Sequence, residues 1–212
     1  MMEKWILIGY EWITVMLPAL IFTAIFYLSK KNQDQKAAAW HSLFLLVFAF
    51  YLFGVFHYTG SGTVFDIRQY GLPPRADEIN LVPFSAASID LIGYGLNVLL
   101  FVPLGFLLPF LWESYDSLAR AGAAGFLLSL LVEVSQLLNI RATDVDDLIL
   151  NTLGTVFGLL FFRLYLRITK LTARVPGADR CRSKAFGFVA LLFVFRFFTY
   201  YGFGMAKLLY HF

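Results

Sequence analysis

The sequence predicts an all-α membrane protein, a polytopic bundle of about six transmembrane helices. Its 212 residues are 59% hydrophobic and only 15% charged, and their mean hydropathy is +0.72. A soluble domain is nearer 45–50% apolar and about 25% charged. Six separate segments have roughly the 20 apolar residues needed to cross a bilayer. The four Trp residues lie at or near the ends of these segments, where an aromatic belt forms.

The six segments follow one another with polar connections between them. They cover about Trp5–Leu28, Trp40–Tyr58, Leu91–Trp112, Arg120–Leu138, Leu148–Leu166 and Ala185–Tyr201. The first contains Glu11 and is followed by no small-residue cleavage motif, so we expect a retained helix rather than a signal peptide. Pro18, Pro103 and Pro109 lie inside segments and predict kinks.

We expect three regions within one membrane unit. Residues 1–74 would form two N-terminal helices and an outer loop. Residues 75–166 would form a membrane core with most of the polar motifs, and residues 167–212 would form a basic cytoplasmic loop and the last helix. The single cysteine, Cys181, excludes an internal disulfide and a multi-cysteine metal site.

The basic residues of the connections predict the orientation in the membrane. With the N-terminus outside, the cytoplasmic loops hold eleven of the 17 Lys and Arg residues, the outer side holds five, and Arg196 lies within the last segment. The bias therefore predicts that both termini are outside. The run Arg163–Lys184 is then cytoplasmic, either as a topology signal alone or in contact with anionic headgroups. No nucleic-acid partner is expected, although the pI is about 9.0.

Two neighbouring segments each carry a polar face in otherwise apolar sequence. The positions recur at i, i+4 and i+7, which is one side of an α-helix. They are Ser129, Glu133 and Gln136 on the first segment, and Asp147, Asn151, Gly154 and Gly158 on the second. A charged carboxylate inside such a segment costs on the order of 2.5–3.5 kcal/mol on insertion scales. We therefore expect these carboxyl groups to have partners.

Polar residues of several segments are expected to share one depth near the outer membrane surface. At about 1.5 Å of rise per residue, Glu133, Asn97 and Asp147 all fall in the outer leaflet. We interpret them as the lining of an outward-facing cavity, capped by residues 75–84 and 141–147. The candidate ligand-binding residues are Arg75, Asn80, Asn97, Glu133, Gln136, Arg141, Asp144, Asp147 and Asn151.

These candidates divide into cations, carboxyl groups and amides. Arg75 and Arg141 suit phosphate, pyrophosphate or carboxylate ligands, because a guanidinium presents a planar fork of donors. Glu133 and Asp147 are the candidate catalytic residues, since a carboxyl group among apolar side chains can serve as an acid or base. The alternative for the amide residues is that they only join helices by hydrogen bonds.

The sequence contains no motif for a metal or a cofactor. The hinge aspartates with Glu133 would suit a divalent cation, but their spacing matches no known binding loop. Arg196 lies within one helical turn of the depth of Glu133. We expect Arg196 to face the bundle interior and to neutralise an acidic partner, Glu133 by preference. The alternative is that Arg196 snorkels to the outer interface.

Four motifs, in this order and at these spacings, resemble those of the VanZ-like family. They are Arg75 with Asn80-Leu-Val-Pro83-Phe84, then Asn97-Val-Leu-Leu-Phe101-Val-Pro103-Leu-Gly105, then Ser129 with Glu133 and Gln136, and lastly Arg141 with Asp144-Val-Asp146-Asp147, Asn151 and Gly154. The resemblance covers about Arg75–Phe162, without the first two helices and the last. Thr155 stands where a Gly or Ala is expected. The resemblance implies a bacterial membrane protein linked to reduced susceptibility to teicoplanin-type lipoglycopeptides, and it implies no mechanism.

Three classes of function fit these observations. The first is a non-enzymatic protein that binds an envelope lipid or a lipidated antibiotic at the outer leaflet, with membrane lipids, a lipid-linked cell-wall intermediate or a lipoglycopeptide as partners. The second is an enzyme acting on a lipid or lipid-linked cell-wall intermediate, with Glu133 or a hinge Asp as acid or base. The third is a small transporter or flippase in which Glu133 carries a proton. We rank them in that order.

Overall fold

A computed structural model describes residues 2–30, 35–71, 79–85, 91–141, 143–169 and 182–210. The helices of this part are α1 (Met2–Ser29), α2 (Gln35–Thr59), α3 (Val64–Tyr70), α4 (Leu91–Leu111), α5 (Leu118–Gln136), α6 (Val145–Thr169), α7 (Arg182–Thr199) and α8 (Gly202–Tyr210). Five helical stretches are long and apolar enough to cross a membrane, and up to six are if α7 and α8, bent by 41°, form one span. The prediction of an all-α membrane bundle is confirmed.

Two helix ends differ from the sequence prediction because a polar side chain fixes each of them. The Oδ1 atom of Asp144 accepts the N–H of Asp146 at 2.9 Å, so α6 begins at Val145 under an N-cap of the usual kind. The last segment is interrupted before Tyr201. There the Tyr10 hydroxyl donates to the Thr199 carbonyl at 2.5 Å and accepts the N–H of Tyr201 at 3.2 Å.

The apolar core is centred on α2. Phe48 is fully buried and packs edge-on against Trp112, with ring centroids 5.5 Å apart, and against Phe188 of α7 at 6.3 Å. Trp112 is 2% exposed, so it belongs to this core and not to the predicted aromatic belt. Its position at the end of α4 indicated an interface, but it is buried against Phe48 of α2.

Helices α4 and α6 lie in backbone contact. A Cβ at Gly105, Gly154 or Gly158 would lie 1.8–2.2 Å from a backbone carbonyl oxygen of the facing helix. Thr155 is accommodated on the other side of α6, because a Cβ at Gly125 of α5 would lie 2.2 Å from its Oγ1 atom. Gly125 on α5 therefore leaves room for Thr155, which stands where a Gly or Ala was expected. This packing sets the distance between the helices that carry the polar side chains.

Candidate functional site

A short parallel pairing joins the two connections that were expected to cap the site. Strand β1 (Ile79–Asn80) pairs with strand β2 (Thr143–Asp144), and the Nδ2 atom of Asn80 donates to Oδ2 of Asp144 at 3.2 Å. The loop before α4 therefore lies beside the hinge before α6. The polar side chains below this pairing are here named the polar cluster, and they are Asn80, Tyr94, Asn97, Ser129, Glu133, Asp144, Asp146, Asp147 and Asn151.

Glu133 is the most central residue of the polar cluster. It is 2% exposed, and its Oε2 atom accepts the N–H of Asp144 at 3.0 Å. The carboxyl group of Asp147 is its neighbour in the cluster. A buried and a half-buried carboxyl group therefore lie beside each other on α5 and α6.

The polar faces of α5 and α6 meet as the helical spacing predicts. Asn151 is buried and its Nδ2 atom donates to the Ser129 hydroxyl at 2.9 Å. Asp147 accepts a short hydrogen bond from the amide of Asn97 on α4. Within the described residues the Oδ1 atom of Asn151 is buried and has no hydrogen-bond partner. Three helices are therefore joined by amide and carboxyl groups, and one acceptor is left open.

Asp146 is a member of the polar cluster that the sequence reasoning missed. Its side chain is buried, and its two carboxylate oxygens accept the Phe84 N–H at 2.8 Å and the Tyr94 hydroxyl at 2.6 Å. Asp146 does not lie on the face of Asp147 and Asn151, which is why periodicity overlooked it. The available signal was Tyr94, which precedes Asn97 by one helical turn on α4.

Phe84 gives the loop above the polar cluster an unusual conformation. Its φ is +55°, a backbone region that bulky residues rarely adopt. The bond to Asp146 and an edge-on contact with the Tyr94 ring, with centroids 5.8 Å apart, hold it there. Beside it, Leu81 and Val82 are 73% and 63% exposed. An exposed apolar loop thus directly adjoins the buried carboxyl groups.

Gln136 and Arg141 contact a different part of the protein, the turn between α2 and α3. The Nε2 atom of Gln136 donates to the Thr59 carbonyl at 2.7 Å. Gly60 has a φ of +64°, and a Cβ there would lie 2.3 Å from Nε of Arg141, so the arginine side chain crosses this turn. Arg141 is exposed, and no ion pair joins it to a carboxylate of the described residues. Arg75 lies outside the described residues.

Arg196 is buried in the bundle and neutralises an acidic partner, but that partner is Glu11. The Nε and Nη2 atoms of Arg196 donate to Oε1 of Glu11 at 3.0 and 2.7 Å, and Nη1 donates to the Ser61 carbonyl at 3.1 Å. The other oxygen of Glu11 lies 2.7 Å from Nδ1 of His57. The preference for Glu133 was therefore wrong. The helical rise predicts how deep a residue lies in the membrane but not which helices are neighbours. In the structure α7 packs against α1.

The carboxyl groups of the polar cluster are not arranged as a metal site. No group of three His, Cys, Asp or Glu side chains in the described part of the chain is placed to hold a metal ion. Glu133, Asp144 and Asp146 each accept hydrogen bonds from backbone N–H groups. What the cluster offers chemically is a set of carboxyl and amide acceptors.

Comparison with known proteins places this geometry in a family. A family model described as VanZ/LLP1 matches residues 14–167. The chain belongs to the VanZ/LLP1 family. The match begins within α1, so it includes most of α1 and all of α2, which the motif resemblance had left out. Comparison with curated proteins and with solved structures gave no match.

The boundaries of the VanZ/LLP1 match separate the two groups of buried charges. The whole polar cluster, from Asn80 to Asn151, lies inside residues 14–167. Glu11 and Arg196 lie on either side of that range, and their ion pair joins the first and last long helices. The family match therefore covers the polar cluster. The ion pair between Glu11 and Arg196 lies outside the matched residues and joins α1 to α7.

A substitution at Asp146 tests how residues 79–85 are held over the polar cluster. We expect Asp146→Ala to increase amide hydrogen exchange in residues 79–85, because the Phe84 N–H and the Tyr94 hydroxyl both lose their acceptor. The opening free energy should fall by about 1–3 kcal/mol. Tyr94→Phe removes only one of the two bonds and should give a smaller increase. Unchanged exchange in Asp146→Ala would contradict the contact.

Proposed function

We propose that this protein lowers bacterial susceptibility to teicoplanin-type lipoglycopeptides by binding a lipid-anchored molecule at the polar cluster. The molecule is an envelope lipid, a lipid-linked cell-wall intermediate or the lipidated antibiotic. Membership of the VanZ/LLP1 family is consistent with a protein of this resistance type. The orientation predicted from the basic residues puts the polar cluster at the outer surface, where such antibiotics act.

The observation that carries this proposal is the carboxyl pair of Glu133 and Asp147. Amide and hydroxyl groups such as Asn97 and Ser129 would be enough to join the helices. Two neighbouring carboxyl groups within a membrane bundle add a desolvation cost that helix joining does not need. Costly intramembrane carboxyl groups are retained where a ligand or a proton uses them, which supports a binding role for the polar cluster.

The surroundings of the carboxyl pair favour an amphiphilic ligand. Asp144, Asp147 and the open Oδ1 atom of Asn151 offer acceptors, which suit the hydroxyl and amide donors of a sugar or peptide headgroup. Leu81 and Val82 are exposed beside them and suit an acyl chain. Arg141, which is exposed and precedes strand β2 by two residues, would bind an anionic part of the same molecule.

The second candidate function is an enzyme acting on a lipid or a lipid-linked cell-wall intermediate. It is favoured by the buried carboxyl group of Glu133 beside Asp147, since a positioned carboxyl group can donate and accept a proton during catalysis. Product formed by the purified protein and lost in Glu133→Gln would establish the enzyme. Saturable binding of an unchanged lipid would establish the binding protein.

Expression in a sensitive Gram-positive host tests the proposed function. We expect the wild type to raise the inhibitory concentration of teicoplanin much more than that of vancomycin, because a membrane-embedded site acts on the lipidated drug. Glu133→Gln and Asp147→Asn should return the teicoplanin value to the empty-vector level, since each substitution removes an ionisable carboxyl group from the polar cluster. Inhibitory concentrations are compared at equal membrane levels of each protein.

The matched control is Glu3→Gln, which removes a carboxyl group from the first turn of α1, outside the polar cluster. It should protect as the wild type does. Full protection by Glu133→Gln would show that the polar cluster has only a structural role. No protection by the wild type would exclude this function for this protein.

A further inference from the structure

An apolar groove of about 520 Å³ lies between α5 and α7, with α4 as its floor. The α5 wall includes Leu127, Leu131 and Val134, and the α7 wall includes Val189 and Phe193. These α5 positions repeat at i, i+4 and i+7, so the wall is one continuous face of the helix. The groove is separate from the polar cluster, and none of the residues proposed above to bind the lipid-anchored molecule lines it.

The groove has the length for a single acyl chain. Small side chains line part of it, and they are Ala123, Ala124, Ala185 and Ala190. Along α5 the lining runs from Arg120 to Val134, which is about 21 Å at 1.5 Å per residue. One leaflet of the hydrocarbon core is about 15 Å thick. A chain from one leaflet therefore fits within the groove along its whole length.

A cation lies at one end of the groove. Arg120 lines it there, and within the described residues its buried Nε atom has no hydrogen-bond partner. Arg120 stands in the first turn of α5, which begins at Leu118, and the positive end of a helix dipole adds to its charge. Asp116, the nearest preceding carboxylate in the chain, is engaged by Arg163 at 2.9 Å. Positive charge beside an apolar groove matches an anionic amphiphile.

We propose that this groove binds one acyl chain of an anionic phospholipid, with the lipid phosphate on Arg120. The site lies at the membrane side opposite the polar cluster, since Glu133 follows Arg120 on α5 by about 20 Å of helical rise. The basic residues of the connections predict that this side is cytoplasmic, where anionic lipids concentrate. The ligand enters sideways from the surrounding leaflet between α5 and α7.

Native mass spectrometry of the purified full-length protein tests the lipid site. The probes are phosphatidylglycerol and phosphatidylcholine with identical acyl chains. We expect one phosphatidylglycerol to bind the wild type more tightly than phosphatidylcholine does. Arg120→Gln should weaken phosphatidylglycerol binding about fivefold and remove the preference, because one basic side chain is lost from the headgroup. Lys36→Gln, at an exposed position in the first turn of α2, is the matched charge control and should leave the preference intact.

A substitution that blocks the groove distinguishes binding of the acyl chain from binding of the headgroup. We expect Ala190→Leu to weaken binding of both phospholipids, whereas Ala24→Leu on the exposed face of α1 should weaken neither. Equal phosphatidylglycerol affinity in the wild type and Arg120→Gln would overturn the proposal. A protein dimer that lipid does not displace and that Ala190→Leu abolishes would also overturn it, because the groove would then hold a second copy of the chain.

Discussion

Arg196→Leu is expected to lower the free energy of unfolding by about 3–5 kcal/mol, the usual cost of breaking a buried ion pair from one side. The guanidinium donates twice to Glu11 and once to the Ser61 carbonyl. Glu11 is 3% exposed, so water cannot replace these donors. After the substitution, His57 is the one ion-pair partner of the carboxylate that remains among the described residues, and it satisfies one oxygen of the two.

The measurement is reversible unfolding in detergent, with the yield of monodisperse protein as a second readout. Arg167→Leu, at the exposed end of α6, controls for loss of a basic residue and should unfold like the wild type. Removing both charges in Glu11→Leu with Arg196→Leu should recover much of the loss, because apolar replacements of a buried ion pair are often nearly neutral. A single variant as stable as Arg167→Leu would contradict the buried pair.

The polar faces of α5 and α6 were predictable because helical periodicity determines which residues share a side. Ser129 and Asn151 bond directly across the two helices, as the spacing indicated. The partner of Arg196 was not predictable in the same way, since the rise per residue gives the height of Glu11 and Glu133 but not their direction around the bundle. Which helices are neighbours depends on packing across the whole chain.

The strand pairing that joins the two capping loops was not predictable from the sequence pattern. Strand β1 has two residues, Ile79 and Asn80, too few for alternation to show. Asp146 was overlooked because it faces α4 and the Phe84 loop instead of α5. The sequence nevertheless predicted part of this arrangement, since the hinge aspartates and the Asn80 loop were expected to cap the same site.

Gly158→Ala is expected to destabilise the protein by about 1–3 kcal/mol, the usual cost of overpacking, although alanine is the better helix former. A Cβ at this position would lie 2.0 Å from the Val102 carbonyl oxygen and 2.9 Å from Cα of Gly105. Both obstacles are backbone atoms, so no rotamer change can relieve the contact. Helices α4 and α6 would have to move apart.

Gly9→Ala is the matched control for this prediction, because Gly9 lies in α1 and has nothing within 4 Å of its virtual Cβ. Alanine there adds about 1 kcal/mol of helix propensity, so Gly9→Ala should be neutral or stabilising in the same unfolding experiment. Moving α6 away from α4 would also separate Asp147 from Asn97, so Gly158→Ala should reduce protection against teicoplanin at equal membrane levels. Equal stability of the two glycine variants would contradict the backbone contact on which the geometry of the polar cluster depends.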